Sequence, residues 1–235
     1  LGGRLDGDAL GTAERLLGDL EPTETGAPEP VRLNGDNGPR VTVHHKDSDQ
    51  AHLCLGVRSY PLVHPDRYAL QMLATILGTG MSSRLFSEVR ERRGLAYYVF
   101  AANQSYTDAG SLYSQAGVDI ARCDEAVETI AGEFHRIASE PVPADELEKA
   151  RALAKGRFVL RLENPQGMTM FGLSREVLEG RAVEPEEVLA GLDAVTAEDV
   201  QRVAQDVIAS NGINLALIGP FEDEERFAEL LSSGS

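Results

Sequence analysis

The sequence predicts an α+β fold, a mostly antiparallel mixed sheet with helices packed on one face. Three observations predict it. β-prone segments come in two pairs, at residues 40–45 with 50–57 and at 95–104 with 110–118. A long block of helical periodicity follows, and a short apolar run, INLALI at 213–218, closes it before a last helix.

The elements justify themselves in order. Residues 5–20 place Leu10, Ala13, Leu16, Leu17 and Leu20 near helical spacing. The next ten residues, EPTETGAPEP, hold three prolines and a glycine and read as a linker over 21–30. RVTVHH (40–45) and QAHLCLGV (50–57) read as strands. A helix runs from Pro65, which suits a first turn, to Gly78, which suits an end. Ser82 or Ser83 can cap the next helix, which reaches about Arg93, with Gly94 fitted to a left-handed terminus. Strands at 95–104 and 110–118 flank the turn sequence TDAG. Helices are expected at 120–137 and 143–162, with Asn164-Pro165 starting another to about Leu178. A short helix spans 186–192, Thr196-Ala-Glu-Asp199 offers a capped start to a helix ending near Ala209, and the last helix covers 222–231. The opening segment echoes the closing one: each has a glycine, an acidic turn and a helix, as two similar domains in tandem would.

Composition narrows the function. With 42% hydrophobic and 26% charged residues the chain is of the soluble globular class. Its apolar runs are too short to span a membrane, and no secretory leader is visible, so a cytoplasmic location is expected. A formal net charge of −16 argues against nucleic acid and against anionic membranes as partners. Cys54 and Cys123 have neither zinc-ribbon nor disulfide-scaffold spacing and read as small buried residues.

The search for chemistry returns mostly negatives. Neither H-x-x-E-H nor H-E-x-x-H occurs, nor a nucleophile elbow, P-loop or dinucleotide fingerprint. His52 is expected on the strand next to His44 and His45, which makes a two-histidine pair conceivable, but no third ligand suggests itself. No metal site and no cofactor is expected in this chain. The one unusual stretch is GTGMSSRLFSEVRERRGLAYYVF, residues 78–100. Leu85, Phe86 and Val89 form an apolar helix face there, and Arg84 and Arg92 fall on more polar ones. Its arginines are either solvated and paired with Glu88 and Glu91, or Arg90 and Tyr97 converge on one spot. A guanidinium and a phenol together can donate hydrogen bonds to a peptide carbonyl or a developing oxyanion.

The run ILGTGMSSRLFSEVRERRGLAYYV closely resembles the signature of the C-terminal, non-zinc domain of the pitrilysin or insulinase-like zinc metallopeptidases. These are the inverzincins, relatives of the mitochondrial processing peptidase. KDSDQAHLCLG (46–56), the long helix from Pro143 and VTAEDVQRVAQDVI (195–208) agree in order and spacing. The resemblance covers residues 31–235, and residues 1–20 look like the last helix of a preceding, zinc-bearing type of domain. It implies two halves that close like a clamshell over a peptide substrate. Zinc would lie in the other half, within the same parent chain or in a homologous partner subunit as a homo- or heterodimer. Arg90 and Tyr97 match the arginine and tyrosine, seven positions apart, that face that zinc. The implied function is the substrate-binding domain of a zinc metalloendopeptidase; the alternative is a zinc-less, non-catalytic or structural subunit of the same fold.

Overall fold

The computed structural model describes residues 7–21, 29–31, 40–210 and 212–233. The expected linker lies largely outside these, as do residues 5 and 6 of the expected first helix.

Five strands form one sheet: β1 (Val41–His45), β2 (Ala51–Ser59), β3 (Ala96–Ser105), β4 (Gly110–Val118) and β5 (Asn214–Gly219), in the order β1-β5-β2-β4-β3. Only β1 and β5 run parallel. The mostly antiparallel mixed sheet is therefore as expected. One neighbour relation is not, because β5 returns from the far end of the chain and inserts between β1 and β2.

Except for the first, which buries no side chain, the helices cover one face. They are α1 (Ala9–Leu17), α2 (Arg67–Gly78), α3 (Cys123–Ser139), α4 (Ala144–Leu162), α5 (Pro165–Glu179), α6 (Pro185–Ala194), α7 (Ala197–Ala204) and α8 (Glu224–Ser233). Alternate side chains of the strands, such as Leu53, Leu55, Leu112, Leu215 and Leu217, meet Leu73 and Leu77 of α2 and Ile130 and Phe134 of α3 in a single core. Each of these aliphatic side chains contributes about 1.5–3 kcal/mol when fully buried. Two sequence signals at the helix ends hold, whereas Pro65 precedes the Asp66 N-cap of α2 and is outside its first turn. Thr196 and Asp199 form the reciprocal capping box, and the Asn164 side chain caps α5 one residue before Pro165. Ser83 behaves differently. Its hydroxyl donates to the Gly80 carbonyl at 2.7 Å instead of capping a helix amide.

Cys123 is buried, as expected, and burial pushes its thiol up to about 12. Cys54 is half-buried on the opposite, open face of the sheet. Helix α1 buries no side chain, and its Leu10, Leu16 and Leu17 are exposed. Among the described residues no helix is long and apolar enough to cross a membrane.

Candidate functional site: the arginine-rich turn and the start of β3

The helix that begins at Arg84 widens to a π turn over Phe86–Arg92. Leu85 and Val89 are fully buried beneath it. Gly94 then takes φ +61°, a left-handed conformation that glycine enters without steric cost. The Leu95 amide donates to the Val89 carbonyl at 2.8 Å. That bond closes one residue further back than an ordinary Schellman termination, which is the residue the π widening adds. Such widened turns concentrate at functional sites. Here the clasp sets Arg90, just after Val89, and Tyr97, just after Ala96, on the two arms of one tight reversal.

The four arginines of the run have separate fates. Arg84 is 8% exposed and makes a bidentate pair with Glu146 of α4, at 2.9 and 2.8 Å. This corrects its assignment to a polar face. Glu146 lies 62 residues downstream, so nothing local announces the partner. Arg92 pairs with Glu88 one turn earlier. Arg93 faces Glu125 at 3.6 Å, and its carbonyl accepts from Arg122. Arg90 remains. It is exposed, lies over the Phe86 ring at 5.3 Å, and has no carboxylate partner among the described residues.

Behind the turn, Glu133 of α3 is buried and pairs with Arg136 at 2.9 Å. Burial raises its carboxyl above the usual carboxylate range, with Arg136 and Arg84 opposing that rise. Among the described residues, Arg84 Nη1 and Glu133 Oε2 are buried without a hydrogen-bond partner.

Tyr97 opens β3, the edge strand beyond β4. The register slips between Ala96 and Tyr98, so Tyr97 is the extra residue of a β-bulge, a device that re-aims a side chain. It is 55% exposed and accepts or donates no hydrogen bond among the described residues.

Tyr98 does not pack in the core, as alternation with Tyr97 suggests it should. It is 39% exposed on the open face, while Val99 and Ala101 turn inward. The reason is space. Helix α2 ends so close to β3 that a Cβ on Gly78 would stand 2.0 Å from the Ala101 amide nitrogen. Only small side chains fit inside at that crossing, so the aromatic residues of the YYVF run go outward. The Tyr98 ring lies over Gly117, its hydroxyl shares a 3.1 Å hydrogen bond with His52 Nδ1, and Phe100 stacks beside it.

The strand register lays out the open face in rows. His44, Ile218, His52, Gly117 and Tyr98 form one row across all five strands. Thr42, Ala216, Cys54, Gln115 and Phe100 form the next. The conceivable His44–His52 pair is thereby separated by the whole of β5, and His45 belongs to the other parity of β1. Among the described residues no three His, Cys, Asp or Glu side chains come together as a metal-holding set.

Comparison with known proteins gives a consistent result. A family model described as the peptidase M16 inactive domain matches residues 2–153. An uncharacterized zinc protease of Streptomyces coelicolor is 34% identical over 187 residues, covering 79% of this chain and 40% of that protein. An uncharacterized zinc protease of Bacillus subtilis is 34% identical over 175 residues, covering 74% and 42%. The crystal structure of a protease from Helicobacter pylori superposes with a TM-score of 0.80 at 21% identity, over 93% of this chain and 54% of that one. The chain thus spans well under half the length of these two curated relatives.

Proposed function

The chain belongs to the peptidase M16 inactive-domain family, and from that premise we propose that it is the substrate-binding, non-zinc domain of a zinc metalloendopeptidase. The whole enzyme hydrolyses unstructured peptides held between two halves. The observation that carries this reading is Arg90. It is the one arginine of its run left exposed without a carboxylate partner among the described residues, and it flanks the same reversal as the exposed Tyr97.

Among the described residues no set of side chains fits a zinc ion; in this reading the metal belongs to the other half, in the same parent chain or in a partner subunit. Zinc bound there supplies a polarised water. Helix α1, with its bare leucines, is the last helix of the preceding domain and packs against it.

The chain's own residues act by donation. Arg90 offers five N–H donors and no acceptor, and Tyr97 offers a phenolic O–H. Both aim at the carbonyl oxygen of the bond to be cut. Their hydrogen bonds strengthen as that oxygen gains charge, which favours the transition state over the bound substrate. The bulge and the left-handed Gly94 fix the two arms before substrate arrives, so little is lost to reorganisation.

The test uses the enzyme assembled with its zinc-bearing half. Tyr97→Phe and Arg90→Ala each lower kcat/KM by about 10²–10³-fold without shifting the melting temperature. Full turnover in both variants overturns the reading.

A further inference from the structure

We propose that Phe86 is a positioning residue. Its ring is the seat that holds the Arg90 guanidinium by its flat face, so that every N–H donor of Arg90 stays free for the substrate. The inference rests on the reading of Arg90 as a donor to the peptide and adds the residue that aims it.

The starting observation is what Phe86 does not do. Leu85 and Val89, on either side of it in the helix, are fully buried in the core. Phe86 is half-buried, and among the described residues it belongs neither to the core nor to the side chains packed against it. A phenyl ring carries a large apolar area, and filling the core is its ordinary use. This ring instead lies beneath Arg90, whose guanidinium carbon stands 5.3 Å from the ring centroid. That is inside the reach of roughly 6 Å for a cation–π contact. Both residues belong to the widened stretch Phe86–Arg92, so the turn that sets the arm also sets the seat.

The carboxylates nearby are taken by other cations. Glu88 pairs with Arg92, Glu125 with Arg122 and Arg93, Glu146 with Arg84, and Glu133 with Arg136. Glu91 follows Arg90 directly, and residues one apart do not share a helix face. The difference in support matters chemically. A carboxylate holds a guanidinium by its edge, takes two of its five N–H donors in the bidentate form and offsets its charge. Arg84 is held in that way by Glu146. A ring holds a guanidinium by its face and takes no donor, because the N–H groups lie around the rim. Phe86 therefore restrains the Arg90 side chain without consuming either the donors or the charge that a peptide carbonyl would meet.

The size of the effect follows from the contact. An exposed cation–π contact shifts a population by about twofold to fivefold, and one from which water has been expelled by about thirtyfold. Closure of the two halves over a peptide moves the pair toward the second regime. Without the ring, Arg90 still reaches the carbonyl for part of the time. Loss of Phe86 is therefore milder than loss of Arg90.

The first measurement uses this chain by itself and does not depend on hydrolysis. The side-chain proton signals of Arg90, assigned by their loss in Arg90→Ala, are expected upfield of their position in the urea-unfolded chain, as protons over an aromatic face are. Phe86→Tyr keeps that displacement and Phe86→Leu abolishes it. No displacement in the unmutated chain overturns the proposal, and that result requires no variant at Phe86 to fold. The second measurement uses the enzyme assembled with its zinc-bearing half. Phe86→Leu is expected to lower kcat/KM about fivefold to thirtyfold. The loss should lie in kcat with KM unchanged, as for an interaction made only in the transition state. Phe86→Tyr, which keeps the ring face, should keep kcat. In the Arg90→Ala background Phe86→Leu should lower kcat/KM no further, because the two residues act as one unit. An equal loss in that background, a loss in Phe86→Tyr as large as in Phe86→Leu, or a loss confined to KM would each mean that the ring only packs the turn, and would overturn the proposal. Full turnover of Arg90→Ala sinks the catalytic reading and this inference with it. Lost turnover in Arg90→Ala beside full turnover in Phe86→Leu sinks this inference alone.

Discussion

Arg84 and Arg90 stand in one short run of the same helix, yet the fold treats them as opposites. Arg84 is taken out of water and clamped by both oxygens of Glu146. Arg90 is left in water and, among the described residues, is supported by the face of Phe86. Residue type is the same, so the partner decides the role. A buried arginine without its carboxylate is an uncompensated charge, whereas an exposed arginine without one is available to something outside the domain.

The largest effect expected from this contrast is on stability. Glu146→Ala strands the Arg84 guanidinium, which already has one unpartnered buried nitrogen. Breaking one side of a buried pair costs about 3–5 kcal/mol. Urea unfolding of the variant measures it, and a cycle with Arg84→Met separates the pair from the stranded charge. A loss below 1 kcal/mol would mean that the pair is no anchor and that the comparison with Arg90 has no force.

A smaller loss sharpens the contrast at the turn itself. No heavy atom beyond the chain neighbours stands within 4 Å of a Cβ added to Gly94, so Gly94→Ala meets only backbone strain. A left-handed non-glycine residue costs about 1–2 kcal/mol. In the assembled enzyme the same change should also reduce kcat/KM, because the arms bearing Arg90 and Tyr97 lose their fixed separation. Thermal melts and steady-state kinetics on one preparation read both.

Much of this was legible in the sequence. Element types, Gly94 at its terminus, the Thr196 box and the Asn164-Pro165 start are local signals, set by residues within one turn of each other. What was not legible depends on distant partners. Strand β5 enters between β1 and β2 after more than 150 intervening residues, and pairing at that range leaves no periodic trace. Arg84 was read as exposed because a charge is exposed by default, and its partner is on another helix. The side that Tyr98 faces is not legible because YYVF is apolar on both faces. Period 2 then says that the faces alternate without saying which is inside. At the candidate site, the sequence singled out Arg90 and Tyr97 by resemblance. It gave no hint of the bulge or of the π widening, which are single-residue insertions that hydrophobic patterns do not resolve.

The buried carboxyl behind the turn gives a pH test. Burial holds the Glu133 carboxyl above its ordinary 4.5. The folded state therefore binds this proton more tightly than the unfolded chain. The stability it contributes is fully present below pH 4.5 and is lost as pH rises through the folded value. Glu133→Gln keeps the neutral shape and removes the titration. Its melting temperature relative to wild type should rise from pH 4.5 to 7.5. An opposite trend would mean that Arg136 and Arg84 outweigh burial.

The smallest expected effect is the one on which the comparison turns. Arg90→Ala should change the unfolding free energy of this chain by less than about 1 kcal/mol. The exposed guanidinium can lose only its contact with Phe86, and an exposed cation–π contact is worth about 0.5–1 kcal/mol. Surface substitutions away from such features stay within about 0.5 kcal/mol. Val89, not Arg90, fills the core beneath the turn, and the clasp from Leu95 to Val89 is a backbone bond that survives truncation at residue 90. Urea midpoints of Arg90→Ala and Arg84→Ala, measured side by side, should therefore differ widely, with Arg84→Ala far lower. If Arg90→Ala costs 2 kcal/mol or more, Arg90 is part of the scaffold, and its exposure no longer argues for a partner beyond the domain.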